Sequence, residues 1–170
     1  SRSVRLYLFR AKPGVGLDVL MWVGATGRPS SRRTPSLVMV PSGMAKRNEL
    51  HLLQTGTRVA RRAVGLKLDS AQLFPVGEER DGRSLLLEIA VRLTEEQVAS
   101  LEVAKTRDGG GILWQHQTSV VRDLPDAPKL PKRVRNAAEV LCHAGVLKLE
   151  RGLYAPRKAP FADPGRRTHG

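Results

Sequence analysis

Three short runs of β-forming residues, separated by turn-forming ones, open the chain. Residues 4–9 read VRLYLF and residues 18–23 read DVLMWV, with a glycine-containing link between them. Two such runs joined by a short turn predict a β-hairpin. Residues 37–40 (LVMV) end at a proline and predict a third strand. The first 48 residues are therefore predicted to form a small three-stranded antiparallel domain.

The pattern changes after residue 48. Apolar side chains recur there at roughly helical intervals, at Leu50, Leu53, Val59 and Val64. This spacing predicts a helical connector over residues 49–82. Within it, residues 75–82 (PVGEERDG) are polar and contain proline and glycine, so they are predicted to interrupt regular structure.

A second set of elements is predicted beyond residue 82. Residues 84–93 (SLLLEIAVRL) are apolar and predict a strand. Thr94 and Gln97 have the spacing of a capping box, which predicts that a helix begins there. Residues 132–147 place apolar side chains on one helical face, and Gly145 is positioned as the cap that ends this helix.

Together these elements predict an α+β fold. It consists of a small three-stranded antiparallel N-terminal domain, a helical connector, and a second small α/β domain with a basic tail. Trp114 and Leu141 are predicted core residues of the second domain. The predicted boundaries, in that order, are 1–48, 49–82, 83–155 and 156–170.

The charge of the chain also predicts what kind of partner it binds. The chain has 29 Lys and Arg against 16 Asp and Glu, a net charge of +13, and a sequence pI near 11.0. Nine of the basic residues and one acid fall in the first 48 positions. Neutralising phosphates releases condensed counterions, so this excess favours RNA as the partner. The residues predicted to contact RNA are Arg5, Lys12, Arg28, Arg32, Arg33, Ser42, Lys46 and Arg47.

The sequence predicts no catalytic chemistry. Its four histidines are scattered, and Cys142 is the single cysteine, which excludes an internal disulfide and a cysteine-based zinc site. We find no phosphate-binding glycine loop and no apolar run near the ~20 residues that span a bilayer. We therefore predict that the chain is not an enzyme. It is predicted to bind no metal, no cofactor, no membrane and no small-molecule substrate. Cys142 is predicted to be an inert core thiol.

One stretch carries a family resemblance. Gly14-Val15-Gly16 stands between the first two predicted strands, and residues 39–45 read MVPSGMA. In order and spacing these resemble the bacterial-type large-subunit ribosomal protein nine family, and residues 107–114 (RDGGGILW) resemble a run in its C-terminal domain. The resemblance implies a structural constituent of the large ribosomal subunit that contacts ribosomal RNA and other ribosomal proteins. The divergence suits a mitochondrial form, located on the matrix ribosome.

Three alternatives stay open. Residues 46–62 resemble a stretch in RNA cytosine methyltransferases, which implies a PUA-like RNA-binding module of an RNA-modifying enzyme. Residues 132–147 and 148–154 would instead be the recognition helix and wing of a winged-helix nucleic-acid-binding protein. The third alternative is a protein-interaction scaffold, which requires neither of these nucleic-acid-binding features.

Overall fold

The computed structural model describes four stretches of the chain, namely residues 1–24, 37–103, 111–119 and 129–158. Strands predominate in them. The strands are β1 (Arg2–Lys12), β2 (Gly16–Gly24), β3 (Leu37–Met39), β4 (Ser42–Met44), β5 (Phe74–Asp81), β6 (Ser84–Arg92), β7 (Gly111–His116), β8 (Leu147–Glu150) and β9 (Leu153–Pro156). The helices are α1 (Leu52–Val64), α2 (Glu95–Val103) and α3 (Leu130–His143), with a 3-10 turn at Ser70–Gln72.

Strand β1 is the centre of one mixed sheet. It pairs with β6 in parallel, from Arg2 opposite Leu85 to Phe9 opposite Arg92. Its other edge is shared, because β4 pairs with its first half and β2 with its second half, both antiparallel. Strand β5 adds to the outer edge of β6, and β2 carries both β3 and β7. A strand segment buried on both faces is apolar on both faces, which is the composition of residues 6–9 of β1.

Helix α1 covers one face of the sheet. It ends at Gly65, whose φ of +72° is the left-handed conformation that glycine adopts without strain. A glycine inside the helix lets it lie close to the strands, since a Cβ on Gly56 would be only 3.0 Å from Ile89 Cδ1. Leu6, Leu8 and Ile89 are fully buried beneath it.

Helix α3 covers the opposite face. Its apolar side packs with Tyr7 and Phe9 of β1, and Leu141 is fully buried there. The β8–β9 hairpin follows the helix directly. Arg92 Nη1 at the end of β6 holds it, donating to the carbonyl oxygens of Val146 and Arg157 at 3.0 Å each.

The predicted fold class is wrong. Strand β1 pairs with β6, which the sequence pattern assigned to a separate domain, so the two halves build one sheet. The predicted helical connector is α1, whose Val59, Ala60 and Val64 are buried. The predicted interruption at 75–82 is strand β5, which is largely exposed because it pairs on one side only. The predicted boundaries after residues 48 and 82 fall in the β4–α1 loop and the β5–β6 turn.

Several local predictions are confirmed. The β1–β2 hairpin is antiparallel. The capping box exists, with Thr94 N donating to Gln97 Oε1 at 2.9 Å and Gln97 N to Thr94 Oγ1 at 3.1 Å. Leu141 lies in the core, while Trp114 is only partly buried, beneath Arg10 at 4.3 Å from the ring centroid. Cys142 is half-buried, and burial raises the pKa of its thiol, which disfavours the reactive thiolate.

Candidate functional site

Two polar arrangements flank the start of β1, and the first joins β4 to α1. Arg58 donates through Nε to Glu49 Oε2 at 2.8 Å and through Nη2 to Oε1 at 3.0 Å. Thr55 Oγ1 and the Lys46 amide also donate to Oε1. The Arg58 hydrogen bonds, with these two in support, outweigh burial and lower the pKa of Glu49 to about 2. Glu49 and Arg58 thus fasten the loop before α1 to the helix.

A close backbone approach strengthens this junction. A Cβ on Gly43 would lie 2.6 Å from Val59 Cγ2, so β4 meets α1 at a distance that only glycine permits. Arg2 Nη2 donates to the Glu49 carbonyl oxygen at 2.7 Å, tying β1 to the same loop. Both side chains of the ion pair are occupied by each other, so this junction is structural.

The second arrangement lies on the α3 face of the sheet and consists of Arg5, Tyr7 and Glu88, here termed the central polar cluster. The hydroxyl of Tyr7 donates to Glu88 Oε2, and Arg5 Nη1 lies 3.7 Å from the same oxygen. Tyr7 is fully buried, while 25% of the Arg5 side chain and 10% of the Glu88 side chain are exposed. Burial, followed by the Glu88 contact, raises the pKa of Tyr7 and keeps its proton in place.

Small residues lie on both sides of this cluster. Arg5 pairs across the sheet with Glu88 on one side and Ser42 on the other, and Glu88 pairs with Gly77. A Cβ on Gly77 would meet nothing within 4 Å. In the row Ser42–Arg5–Glu88–Gly77 the two charged side chains therefore lie between two small residues.

The donor set of the described residues does not fit a metal ion. They contain no group of three or more His, Cys, Asp or Glu side chains that could hold one. Helix α1 has no acidic residue and carries Arg58, Arg61 and Arg62. The two buried carboxylates, Glu49 and Glu88, already contact arginines. No helix in the described stretches is long and apolar enough to cross a bilayer.

The predicted site residues are dispersed. Arg5 and Ser42 are paired across strands β1 and β4. Lys12 is exposed at the far end of β1, and Lys46 and Arg47 are exposed in the loop before α1. Arg28, Arg32 and Arg33 lie outside the described residues. Contact with phosphate groups stays a prediction for these residues.

The sequence patterns missed Tyr7 and Glu88. One signal was present, because Glu88 is the single acid within the apolar run at 84–92. A lone carboxylate in a strand with two buried faces needs a partner, since burying an isolated charge is costly. Its partners come from β1, more than 80 positions earlier.

No protein-family model and no curated protein sequence matches the chain. Solved structures, in contrast, do match the chain. A mutT/nudix family protein from Listeria innocua is 15% identical, with a TM-score of 0.63, and the match covers 85% of this chain and 95% of that one. The C. elegans Ap4A hydrolase, solved as a binary complex, is 12% identical with a TM-score of 0.58, and the match covers 84% and 98%.

The third similar protein is NrtR from Shewanella oneidensis. Its structure is 16% identical with a TM-score of 0.62, over 89% of this chain and 68% of that one. The NUDIX domain of NrtR complexed with ADP ribose is 19% identical with a TM-score of 0.53, over 79% and 85%. The chain has the Nudix fold. At these identities the similarity establishes the fold alone.

The Nudix fold overturns the ribosomal interpretation. The resemblance to ribosomal protein nine is wrong, because the matching structures are Nudix proteins. The strand, glycine turn and proline-glycine spacing that carried the resemblance encode a local hairpin, which different folds can contain. The two predicted roles, as a constituent of the large ribosomal subunit and as a PUA-like RNA-binding module, are therefore wrong as well. The predicted mitochondrial location stays a prediction.

The winged-helix alternative is also wrong. Helix α3, its proposed recognition helix, buries Val134, Ala138 and Leu141 against the sheet of the Nudix fold. The predictions that the chain is no enzyme and has no small-molecule substrate are contradicted too. Structures with this fold include an Ap4A hydrolase and a complex with ADP ribose.

Proposed function

We propose that this chain binds a small molecule of the nucleoside-diphosphate class, in which adenosine carries a phosphate chain. The observation that carries the proposal is the central polar cluster, partly exposed between small residues on the sheet of a Nudix fold. Ligand sites are concave and contain few, well-placed polar groups. ADP ribose, bound by the similar NrtR domain, and Ap4A share adenosine joined to phosphates.

The charge of the chain supports an anionic ligand. The net charge is +13, and the arginines of α1 include Arg61 and Arg62, both exposed. Guanidinium groups bind phosphate oxygens through paired, charge-assisted hydrogen bonds. A phosphate chain can therefore be neutralised by side chains of this protein.

Hydrolysis of the same ligand is a second candidate, favoured by the similarity to the Ap4A hydrolase and to the mutT/nudix family protein. Attack of water on a phosphoanhydride requires that the developing charge on the phosphate oxygens be stabilised. Arginine side chains can provide that stabilisation. The carboxylates of the described residues do not form a site for a metal ion.

The test is isothermal titration of the full chain with ADP-ribose and with Ap4A. Saturable binding at one site is expected for at least one of them. Incubation of each ligand with the protein, with and without MgCl2, followed by phosphorus NMR, separates the candidates: cleavage products establish hydrolysis, and an intact bound ligand establishes binding alone. Absence of binding and of cleavage for both ligands would disprove the proposal.

A further inference from the structure

A groove of about 280 Å³ lies between helix α3 and the β8–β9 hairpin. Val134 and Ala138 of the helix and Leu17 of β2 form its apolar floor, and all three are buried. Leu149 and Tyr154 line it from the hairpin. The groove is an apolar surface that opens to solvent, since 61% of Leu149 is exposed.

The exposure of Leu149 is not explained by the packing of the hairpin. Side chains alternate along a strand, so Leu149 is on the same side of β8 as Leu147, which is buried in the core. The apolar face of β8 thus continues beyond the part that is packed against α3. An apolar surface left open beside a groove in this way marks an interaction site.

The walls of the groove are held in place without a ligand. Gln117, directly after β7, accepts hydrogen bonds through Oε1 from the amides of Leu17 at 3.0 Å and Tyr154 at 3.2 Å. Its Nε2 donates to the Gly152 carbonyl oxygen at 3.2 Å. The hairpin is thus fixed to the sheet, and a preformed groove binds a partner with a smaller loss of conformational entropy.

Basic side chains surround the groove. Residues 129–158, which contain α3 and the hairpin, have eight basic residues and two acidic ones. The basic residues are Lys129, Lys132, Arg133, Arg135, Lys148, Arg151, Arg157 and Lys158, and the acidic ones are Glu139 and Glu150. Lys148 neutralises Glu150, at 2.7 Å. Arg135 itself lines the groove and is exposed. The rim has a net positive charge, which is complementary to an acidic partner.

The apolar floor and the basic rim together favour one kind of occupant. A free anion would contact the basic rim but not the apolar floor. A lipid bilayer receives apolar side chains that protrude from a protein, whereas this surface is recessed between a helix and a hairpin. An acidic peptide with one large apolar side chain contacts both features. Apolar anchors in pockets provide most of the binding energy at protein interfaces, and charges set specificity and the rate of association.

We infer that the groove between α3 and the hairpin is a docking site for an acidic peptide segment of a partner protein, whose large apolar side chain enters the groove beside Leu149. Arg135, with Lys132 on the preceding turn of the helix, pairs with the acidic side chains that flank this anchor. The central polar cluster contributes no residue to the described lining of the groove. The inference therefore does not depend on the proposed small-molecule ligand.

The experiment titrates the full chain with fluorescently labelled synthetic peptides of Asp and Glu that have one Leu, Phe or Trp at the centre. Matched peptides have Ser at the centre, or Lys in place of every acid. At least one apolar-centred acidic peptide is expected to bind at least about 10-fold more tightly than its Ser counterpart, the contribution typical of an interface anchor. It should also bind more tightly than its Lys counterpart, and added NaCl should weaken it because salt screens the charges of the rim.

Two substitutions locate the binding. Leu149→Ala and Arg135→Gln should each weaken binding of the apolar-centred acidic peptide at least about 5-fold. Both side chains are exposed, so these variants are expected to fold. Met44→Ala and Arg80→Gln are the matched controls, because Met44 is 64% exposed and Arg80 lies exposed on β5, and neither lines the groove. Both controls should retain the wild-type affinity.

Three results would overturn the inference. The first is equal affinity for the apolar-centred and the Ser-centred peptides. The second is a peptide whose affinity is unchanged in both Leu149→Ala and Arg135→Gln, since that peptide would bind elsewhere. The third is binding to vesicles of phosphatidylcholine and phosphatidylserine that requires Leu149, with no binding of any peptide, which would assign the surface to a membrane.

Discussion

At the scale of single residues, two positions fix the contact between β4 and α1. Glu49 has a pKa lowered to about 2 because Arg58, Lys46 and Thr55 donate hydrogen bonds to its carboxylate. Gly43 lies where any side chain would overlap with Val59. Both effects act on the same loop, which leads from the sheet into the helix.

The Glu49 contact predicts a pH dependence of stability. Because the folded-state pKa is lowered from 4.5 to about 2, its contribution is present above about pH 4.5 and is lost as the pH falls toward 2. Glu49→Gln should lower the free energy of unfolding by about 1–2 kcal/mol at pH 7, since solvent partly screens the contact with Arg58, and by progressively less across this window. Urea denaturation between pH 7 and pH 2.5 measures the difference. The exposed Glu78→Gln is the control, and a constant difference for Glu49→Gln would contradict the assignment.

The Gly43 contact predicts coupling between two positions. Gly43→Ala should cost about 1–3 kcal/mol, because its methyl group would lie 2.6 Å from Val59 Cγ2. Val59→Ala removes that methyl group, so the double variant should lose less stability than the two single losses added together. Thermal and urea unfolding of the four proteins give the coupling energy. If the stability losses of the two single variants simply add in the double variant, Gly43 and Val59 are not in contact.

At the scale of elements, α3 is held by burial of one face rather than by local sequence alone. Leu130, Val134, Ala137, Ala138 and Leu141 all lie on the side that packs against the sheet. The helix also meets strand β5 through an ion pair, Arg133 Nη2 to Glu79 Oε1 at 3.0 Å. That pair is exposed on the Glu79 side, so packing contributes most of the attachment.

Leu141 tests this packing. Leu141→Ala should reduce the free energy of unfolding by about 2–5 kcal/mol, because it opens a cavity in a fully buried site. Leu149→Ala, in the adjoining hairpin, removes the same atoms from a side chain that is 61% exposed and should stay within about 0.5 kcal/mol of wild type. Chemical denaturation of both variants measures the contrast, and equal losses would place α3 away from the sheet.

At the scale of the whole molecule, Arg92 links the sheet to the C-terminal hairpin. Its guanidinium donates to two carbonyl oxygens on either side of β8 and β9, Val146 and Arg157. Burial lowers the pKa of this arginine. Both bonds connect segments more than 50 positions apart, so the hairpin depends on the completed sheet for its position.

Hydrogen exchange measures that dependence. Arg92→Met keeps the aliphatic stem but removes the two hydrogen bonds, so amides of residues 146–157 should exchange about 10-fold faster or more, which corresponds to ~1.4 kcal/mol of local opening. Amides of α1 should exchange as in the wild type. Arg80→Met, at an exposed position on β5, is the control. Unchanged exchange in the hairpin of Arg92→Met would show that other contacts hold it.

Local patterns determined much of the secondary structure. The strand at 84–93, the hairpin at the start of the chain and the capping box at Thr94 each depend on neighbours within a few positions. The helix predicted at 132–147 is α3, displaced by a few residues. Such elements follow from the period of apolar residues and from backbone amides that need nearby partners, which the sequence displays directly.

Only the tertiary structure decided which strands meet. The parallel pairing of β1 with β6 leaves no local pattern, because each strand shows that it is buried but not what lies beside it. The same pairing brings Glu88 to Arg5 and Tyr7, so the candidate site exists only once the sheet has formed. The sequence determined a basic chain of strands and helices with one carboxylate in an apolar run. The fold then determined that carboxylate's partners, since contacts between distant segments depend on packing and charge in three dimensions.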